Sequence, residues 1–353
     1  MKVLFLMTLN AGTSYWRLYN PAKNMEQNGT DVTLFPQFDP AFPYVYTWEA
    51  DLLVDSVKGE IFGNLMSWAD IVVGQRFFTE AGLSVIDVLQ QEFKKKFFME
   101  IDDNIHYVPA DHPAYEQIKP GTQSLKIAEK QLKLSDGVIV STEYLKKVYI
   151  KYNKNIHVMP NAIDFKLWKH KSRKNKKFVN IGYVGGQQHV RDLKILNKVI
   201  PSILDKYKNV RFIIWGGAPE IIPEGPRVIK YSTFAPVLDY PRELAKLNYD
   251  IGLAPLVDNY LNRSKSCLRW LEYSALGIPT VASPIEPFNR VSPIFTCQQS
   301  DEWITTLSHL IESPEVRETV GMAAQEKVKR DYNIQGVVDK YTTLLKKEVM
   351  KNA

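Results

Sequence analysis

The sequence has few cysteines and no long apolar run, and each absence excludes a class of protein. Cys267 and Cys297 are the two cysteines among 353 residues, too few for a disulfide framework or a cysteine-based zinc site. No apolar run reaches the roughly 18 residues that span a bilayer. Hydrophobic residues make up 45% and charged residues 24%, which excludes disordered, collagen-like and coiled-coil chains. We therefore expect a cytoplasmic globular protein.

Several motifs that carry chemistry are also absent. The chain has no Gly-x-Ser-x-Gly elbow, which disfavours an α/β-hydrolase. It has no Gly-x-x-x-x-Gly-Lys-Ser/Thr phosphate loop and no Gly-x-Gly-x-x-Gly after the first apolar run, which disfavours P-loop enzymes and dinucleotide dehydrogenases. No Cys/His cluster has metal-ligand spacing, which disfavours a zinc site; we also expect no bound cofactor.

A mild excess of positive charge is concentrated near the middle of the chain. The formal net charge is +6, which allows anionic partners without demanding them. Residues 166–177 are rich in Lys and Arg, and this change in composition places a domain boundary there. A solvated linker is the preferred interpretation, and a nucleic-acid or membrane contact is the alternative. The predicted domains are 1–165, 166–334 and a C-terminal helix, 335–353, that returns toward the first domain.

Short apolar runs alternate with amphipathic segments in both halves. This order is typical of parallel sheets covered by helices. It predicts an α/β fold of two Rossmann-like, doubly wound parallel-sheet domains that face each other across a cleft, with ligands beyond the carboxyl ends of the strands. The predicted strands are 3–9, 31–35, 70–73, 96–101, 137–140, 156–159, 179–184, 211–215, 227–231, 250–254 and 280–282. The first run also imitates a short signal sequence, but the following turn at Gly12 favours a buried strand.

The segment 250–283 carries the most specific local pattern. A buried strand leads through a polar loop to a predicted helix, 265–276, with Ser264 as its N-cap. Free N–H groups at a helix N-terminus suit a phosphate, and Lys265 adds a full charge there. At 100° per residue, Lys265, Arg269 and Glu272 share one stripe of the helix. This stripe either follows a ligand or is a solvated face.

This segment, DIGLAPLVDNYLNRSKSCLRWLEYSALGIPTVAS, resembles the donor-binding signature of glycosyltransferase family four, whose enzymes have the GT-B fold. The resemblance implies that Glu272 binds the ribose of a nucleotide sugar and that Lys265, with Ser266 and Arg269 beside it, binds the diphosphate. The family commonly has a second acid eight positions before that Glu, where this chain has Ser264. Asp258 is then a candidate for contacting the sugar.

Further donor contacts follow the other strands of the second half. The segment IGYVGGQQHVRDL resembles the loop after the first strand of the family's donor domain. The resemblance implies that the backbone at Gly185 and Gly186 comes close to the donor. It also implies that His189, Arg191 and Asp192 contact the diphosphate or the sugar. By the same resemblance, Gly216 and Tyr231 lie near the base. His189 is alternatively a capping or surface residue, and Tyr231 alternatively packs in the core.

Polar residues after the strands of the first half are candidates for donor or acceptor contacts. The candidates are Gly12, Ser14, Arg17, Arg76, Asp102 and Asp103. Arg17 either reaches an anion or pairs with an acid. Glu100 joins the two aspartates as a third acid, and three acids could hold a metal ion. The family that the chain resembles normally needs no divalent metal, so contacts to acceptor hydroxyls or local capping are the preferred roles. The aromatic residues of 35–48 stack on a ligand or pack on their own domain.

The resemblance implies a metal-independent hexosyltransferase that moves a sugar from a nucleotide diphosphate sugar to a hydroxyl acceptor with retention. Lys265, His189 and Arg191 are the expected catalytic residues. The alternatives are a nucleotide-sugar epimerase of the same fold and a non-catalytic nucleotide-sugar-binding subunit. The acceptor stays open among saccharide, lipid, protein and modified nucleic acid, as do the sugar, the nucleotide, a peripheral membrane contact and the oligomeric state.

Overall fold

The computed structural model describes residues 1–39, 44–45, 56–169, 177–217, 222, 224–232 and 235–351. The chain divides into two units. Unit 1 comprises Met1–Ala162, Ser264–Ser266 and Ile334–Ala353. Unit 2 comprises Ile163–Arg263 and Cys267–Asn333. Residues 170–176 of the basic stretch 166–177, and residues 40–43 and 46–48 of the aromatic segment 35–48, lie outside the described residues.

Unit 1 is built on a six-stranded parallel sheet. Its strands, with the antiparallel pair β2 and β4, are β1 Lys2–Leu6, β2 Leu9–Asn10, β3 Asp31–Phe35, β4 Tyr44–Val45, β5 Ile71–Gly74, β6 Lys96–Ile101, β7 Gly137–Val140 and β8 Ile156–Val158. The order in the sheet is β3-β1-β5-β6-β7-β8. Every residue of β5 and β7 is buried, as expected where helices cover both faces of a parallel sheet.

The helices of unit 1 follow its strands and end with the C-terminal helix. They are Gly12–Ser14, Asn20–Gln27, Ser56–Trp68, Glu80–Gln91, Tyr115–Ile118, Gln123–Leu134, Glu143–Tyr149 and Ile334–Met350, with a π-helical turn at Tyr15–Tyr19. The hydroxyls of Thr79, Thr122 and Thr142 cap three of them by accepting from backbone N–H groups.

Unit 2 repeats the architecture with a second six-stranded parallel sheet. Its strands are β9 Val179–Gly185, β10 Val210–Gly216, β11 Val228–Tyr231, β12 Ile251–Ala254, β13 Thr280–Ala282 and β14 Phe295–Thr296, in the order β11-β10-β9-β12-β13-β14. Its helices are Val199–Lys206, Tyr240–Lys246, Tyr260–Ser264, Leu268–Ala275, Glu286–Asn289, Ser300–Glu312 and Pro314–Asp331, and Gln187–His189 and Asp192–Leu196 are 3-10 turns. The predicted α/β architecture of two doubly wound parallel sheets is confirmed.

Most predicted strands begin and end within one residue of the observed bounds, but three elements differ by more. The first strand ends at Leu6 rather than residue 9, because the chain turns there into the small antiparallel pair. The amphipathic pattern of residues 192–206 predicts one helix there, but the structure has a 3-10 turn, Asp192–Leu196, followed by a short α-helix, Val199–Lys206. The helix predicted at residue 265 begins at Leu268, and Ser264 ends the preceding helix instead of capping this one.

The described residues include no helix that is long and apolar enough to cross a membrane.

Candidate functional site

The helix Leu268–Ala275 carries a buried polar cluster. A solvated stripe was one of the two predictions for this face of the helix. Glu272 is 3% exposed, and its Oε2 accepts a hydrogen bond from the Tyr240 hydroxyl at 3.0 Å and pairs with Arg269. Arg269 Nη1 also donates to the Tyr240 hydroxyl at 3.0 Å. Arg269 and Glu272 therefore stabilise each other, while Leu271 and Ala275 face the core. The solvated-face alternative is wrong for Glu272.

The electrostatics of this cluster are dominated by burial. Burial raises the pKa of the Glu272 carboxyl, and the neighbouring Arg269 charge opposes that rise. Both hydrogen-bond donors use Oε2, and Oε1 accepts no bond from any residue that the structure describes. A carboxylate oxygen can accept hydrogen bonds from the hydroxyl groups of a ligand. Glu272 thus combines a fixed orientation with one uncommitted oxygen.

Aromatic residues next to this cluster line a cavity of about 480 Å³ in unit 2. Trp215, at the end of β10, stacks on Tyr240 with ring centroids 5.3 Å apart and an interplanar angle of 29°. Tyr231, the last residue of β11, is 43% exposed and lines the cavity with Trp215 and Pro236. Tyr231 is therefore not a core residue, and this cavity offers flat surfaces on which a base can stack.

Strands β9 and β10 approach each other closely at their carboxyl ends. The Gly217 N–H donates to the Gly185 carbonyl at 2.7 Å. Gly216 has a φ of +106°, and a Cβ there would lie 2.1 Å from the Gly185 oxygen. This position therefore requires glycine for both its conformation and its space. Gly186 follows in the turn that leads to His189.

The turn after β9 is fixed by a buried aspartate. Asp192 is 1% exposed, and its Oδ2 lies 3.0 Å from His189 Nδ1. Its Oδ1 accepts from the Val257 N–H at 2.9 Å and from Asn262 Nδ2 at 2.8 Å. Asp192 thus orients His189 and ties the β9 turn to the loop after β12. Sequence reasoning missed Asn262, since a single Asn in a polar loop carries no distinguishing pattern.

Asp258 and Arg191 lie in the same two loops as partly exposed residues. Asp258 forms a two-pronged ion pair with Arg263, with Oδ2 to Nη2 at 2.8 Å, and the Arg263 charge lowers the pKa of its carboxyl. The side chain is half exposed. Arg191 directly precedes the 3-10 turn Asp192–Leu196. Neither residue is buried, so both can contact a ligand.

The segment Ser264–Ser266 belongs to unit 1 although the chain on both sides belongs to unit 2. Ser264 is fully buried, and its carbonyl accepts from the Thr142 hydroxyl at 3.1 Å. The Ser266 hydroxyl accepts from Asn161 Nδ2 at 2.8 Å. These tertiary bonds explain why the following helix begins only at Leu268, since they hold the segment in place of an intrahelical ladder.

Arg17 pairs with an acid, which is one of its two predicted roles. It lies in the π-helical turn and is 2% exposed. Its Nε lies 2.5 Å from Glu100 Oε1, and its Nη1 donates to Asn161 Oδ1 at 2.8 Å. Burial raises the pKa of the Glu100 carboxyl, and the Arg17 charge opposes that rise. Arg17 Nη2 is buried and has no hydrogen-bond partner in the described part of the chain.

The other candidates of unit 1 lie at the carboxyl ends of β1, β5 and β6. The Ser14 hydroxyl donates to Gln75 Oε1 at 3.0 Å, so Ser14 helps to fix the turn that Gly12 begins. The Arg76 guanidinium lies 4.9 Å from the centre of the Phe78 ring. Ser14 and Arg76 therefore both contact other residues of unit 1.

Asp102 and Asp103 follow β6 directly. Burial and the neighbouring Asp103 and Glu100 charges raise the pKa of Asp102 well above its ordinary value. Within the described residues, no group of three or more His, Cys, Asp or Glu side chains could hold a metal ion.

Comparisons with known proteins agree with this fold. A family described as "Glycosyl transferase-like" matches residues 195–343, which include Glu272, Lys265 and the aromatic cavity. No curated protein matches the chain. The crystal structure of Anabaena Alr3699/HepE in complex with UDP-glucose has a TM-score of 0.67 and 14% identity over 98% of this chain and 100% of that chain.

Two further structures share the fold. The crystal structure of TarM has a TM-score of 0.60 and 14% identity, and the match covers 79% of this chain but only 57% of TarM. A Listeria monocytogenes protein described as a candidate UDP-N-acetylglucosamine 2-epimerase has a TM-score of 0.61 and 10% identity over 99% of this chain and 98% of that chain. The expected resemblance to GT-B glycosyltransferases is confirmed, without singling out family four. The chain therefore has the GT-B fold, and its residues 195–343 are similar to the family described as "Glycosyl transferase-like".

Proposed function

We propose that this protein is a glycosyltransferase that moves a sugar from a nucleoside diphosphate sugar to a hydroxyl acceptor. The observation that carries the proposal is the Glu272 carboxylate, which Arg269 and Tyr240 hold through Oε2 while Oε1 is uncommitted. It lies within the glycosyltransferase-like segment. We assign Oε1 to the ribose hydroxyls, because a carboxylate accepts two hydroxyl hydrogen bonds at little reorganisation when its position is already fixed.

The nucleobase is assigned to the aromatic cavity in unit 2. Its volume of about 480 Å³ lies within the usual range for small-molecule sites. Trp215 and Tyr231 supply ring surfaces, and Tyr240 connects the cavity to Glu272 because it stacks on Trp215 and donates to the carboxylate. HepE was crystallised with UDP-glucose, which supports a nucleotide sugar as the class of donor here.

By the sequence resemblance, the diphosphate is assigned to Lys265 and Ser266, and Arg191 and His189 of the β9 turn are further candidates for donor contacts. In the proposed reaction the bond between the anomeric carbon and the phosphate oxygen breaks, and a bond from the acceptor oxygen to that carbon forms on the same face. The acceptor proton passes to the leaving diphosphate, so configuration is retained and no divalent metal is required. The protein contributes positioning and positive charge. Asp192 turns His189 Nδ1 toward itself, so His189 meets the donor through Nε2.

A nucleotide-sugar epimerase is the second candidate, and the similarity to the Listeria protein favours it. The two activities differ in their need for an acceptor, because an epimerase converts the donor alone. The test is to incubate the protein with nucleotide sugars, with and without a panel of hydroxyl acceptors, and to analyse sugar products and released nucleoside diphosphate.

We expect acceptor-dependent release of nucleoside diphosphate and a product with the anomeric configuration of the donor. Lys265→Ala should lower that rate about 100-fold or more, because it removes charge stabilisation of the leaving group. Lys194→Ala, the same change at an exposed lysine, serves as the matched control and should keep the wild-type rate. An epimerised donor in the absence of acceptor, or full activity of Lys265→Ala, would contradict the proposal.

A further inference from the structure

Lys265 is the middle residue of a three-residue segment that unit 1 holds at both ends. On one side the Thr142 hydroxyl donates to the Ser264 carbonyl at 3.1 Å. On the other side Asn161 Nδ2 donates to the Ser266 hydroxyl at 2.8 Å. The two donors follow different strands, since Thr142 comes after β7 and Asn161 after β8. The backbone of Lys265 is therefore restrained from two directions.

Each of these two donors is itself held in place. Asn161 is 5% exposed and accepts through Oδ1 from Arg17 Nη1 at 2.8 Å, and Arg17 pairs with the buried Glu100. A buried ion pair that loses one partner leaves an uncompensated charge, so Arg17 stays with Glu100 and keeps Asn161 oriented. Thr142 caps the helix Glu143–Tyr149 by accepting from the Leu145 N–H at 3.2 Å, which fixes its hydroxyl.

We propose that Asn161 and Thr142 are positioning residues for Lys265, and this rests on the proposed role of Lys265 at the donor diphosphate. A lysine side chain has a flexible stem and loses rotamer freedom when its ammonium group is fixed. Because the backbone on both sides of Lys265 is restrained, less conformational freedom of this segment is lost when the diphosphate binds. Charge stabilisation of a leaving group is effective only when the charge is already placed. Arg17 acts one step further away, by orienting Asn161.

The first test needs no ligand. We expect Asn161→Ala and Thr142→Val to accelerate amide hydrogen exchange in the peptide that contains Ser264–Ser266, because each removes one of the tertiary bonds described above. Asn153→Ala is the matched control for the first variant, since Asn153 makes two hydrogen bonds to backbone carbonyls elsewhere in unit 1. Thr122→Val is the control for the second, since it removes a helix-capping hydroxyl without touching the segment.

The second test measures binding of UDP, ADP, GDP and dTDP and follows the nucleotide that binds the wild-type protein most tightly. Asn161→Ala and Thr142→Val should each weaken that binding about three- to ten-fold, the range for one lost hydrogen bond. In a Lys265→Ala background neither should weaken it further, because both act through that lysine. Thr142→Ser keeps the hydroxyl and should restore wild-type affinity.

The outcomes separate the two proposals. If the wild-type protein binds a nucleotide and loses affinity with Lys265→Ala, but Asn161→Ala and Thr142→Val match their controls in exchange and affinity, only the positioning role is overturned. Effects that persist unchanged in the Lys265→Ala background also overturn it, since they show a merely structural role. If the wild-type protein binds none of the four nucleotides, the proposed function and this inference both fall.

Discussion

Glu100 and Glu272 are both buried carboxylates that pair with an arginine, yet they are suited to different tasks. Glu100 faces Arg17 within unit 1, and Arg17 continues to Asn161. Glu272 faces Arg269 and Tyr240 and keeps Oε1 uncommitted. Since removing one partner of a buried pair is strongly destabilising, both arginines are needed for the fold. Glu272 is the candidate for binding a ligand because Tyr240, which donates to it, also stacks on Trp215 of the aromatic cavity.

The raised pKa of Glu272 leads to a prediction about pH. Its ordinary value is 4.5 and burial raises it, so protonation begins at a higher pH than for an exposed glutamate. The ribose contact needs the carboxylate, and nucleotide affinity should therefore fall as the pH is lowered through this raised pKa. The folded state holds this proton more tightly than the unfolded state, so the stability that the protonated Glu272 carboxyl contributes is lost as the pH rises from 4.5 through the raised pKa.

Calorimetric titration with a nucleoside diphosphate across this pH range checks the prediction. Glu272→Gln should bind the nucleotide more weakly at neutral pH. Its affinity should depend on pH only through protonation of the nucleotide phosphate, because the titrating carboxyl is gone. Identical pH profiles for the two proteins would contradict a ribose-binding role for Glu272.

At the scale of elements, the C-terminal helix completes the core of unit 1. In the helix Ile334–Met350, Val338, Tyr341 and Leu345 are almost fully buried, and Tyr341 contacts the Phe5 ring of β1 at a centroid distance of 6.2 Å. This helix therefore belongs to the folding unit of the first half although it is the last element of the chain.

Leu345→Ala should lower the free energy of unfolding by about 2–5 kcal/mol, because it removes a fully buried side chain and leaves a cavity. The matched control is Lys346→Ala at the neighbouring exposed position of the same helix, which should change stability by less than about 0.5 kcal/mol. Urea denaturation followed by circular dichroism measures both. Equal stabilities for the two variants would show that the helix does not pack as described.

Elements that depend on local pattern could be predicted from the sequence, and those that depend on tertiary bonds could not. Strands β6 and β7 have the predicted bounds, because apolar runs flanked by polar turns determine a buried strand. The start of the helix at Leu268 was mispredicted, because Thr142 and Asn161, more than 100 positions away, hold Ser264 and Ser266. The hydrogen bond between Tyr240 and Glu272 could not be predicted either, since the two residues are 32 positions apart.

At the scale of the whole molecule, the fold and the chemistry rest on different observations. The two parallel sheets and the similarity to HepE over the full length of both chains show the GT-B fold. A fold alone does not determine an activity. The assignment of a donor therefore depends on Glu272, Lys265 and the aromatic cavity.

The most direct test of the central claim is the thermal stability of the protein with a panel of nucleoside diphosphates and nucleotide sugars. A ligand that binds only the folded state stabilises it by about 2.7 kcal/mol at 100 times its dissociation constant. We predict that one nucleotide stabilises the wild-type protein and the Glu318→Ala control, in which an exposed glutamate is removed. The same nucleotide should have little effect on Glu272→Ala. Stabilisation of Glu272→Ala equal to that of the wild-type protein, or stabilisation by no nucleotide, would contradict the claim.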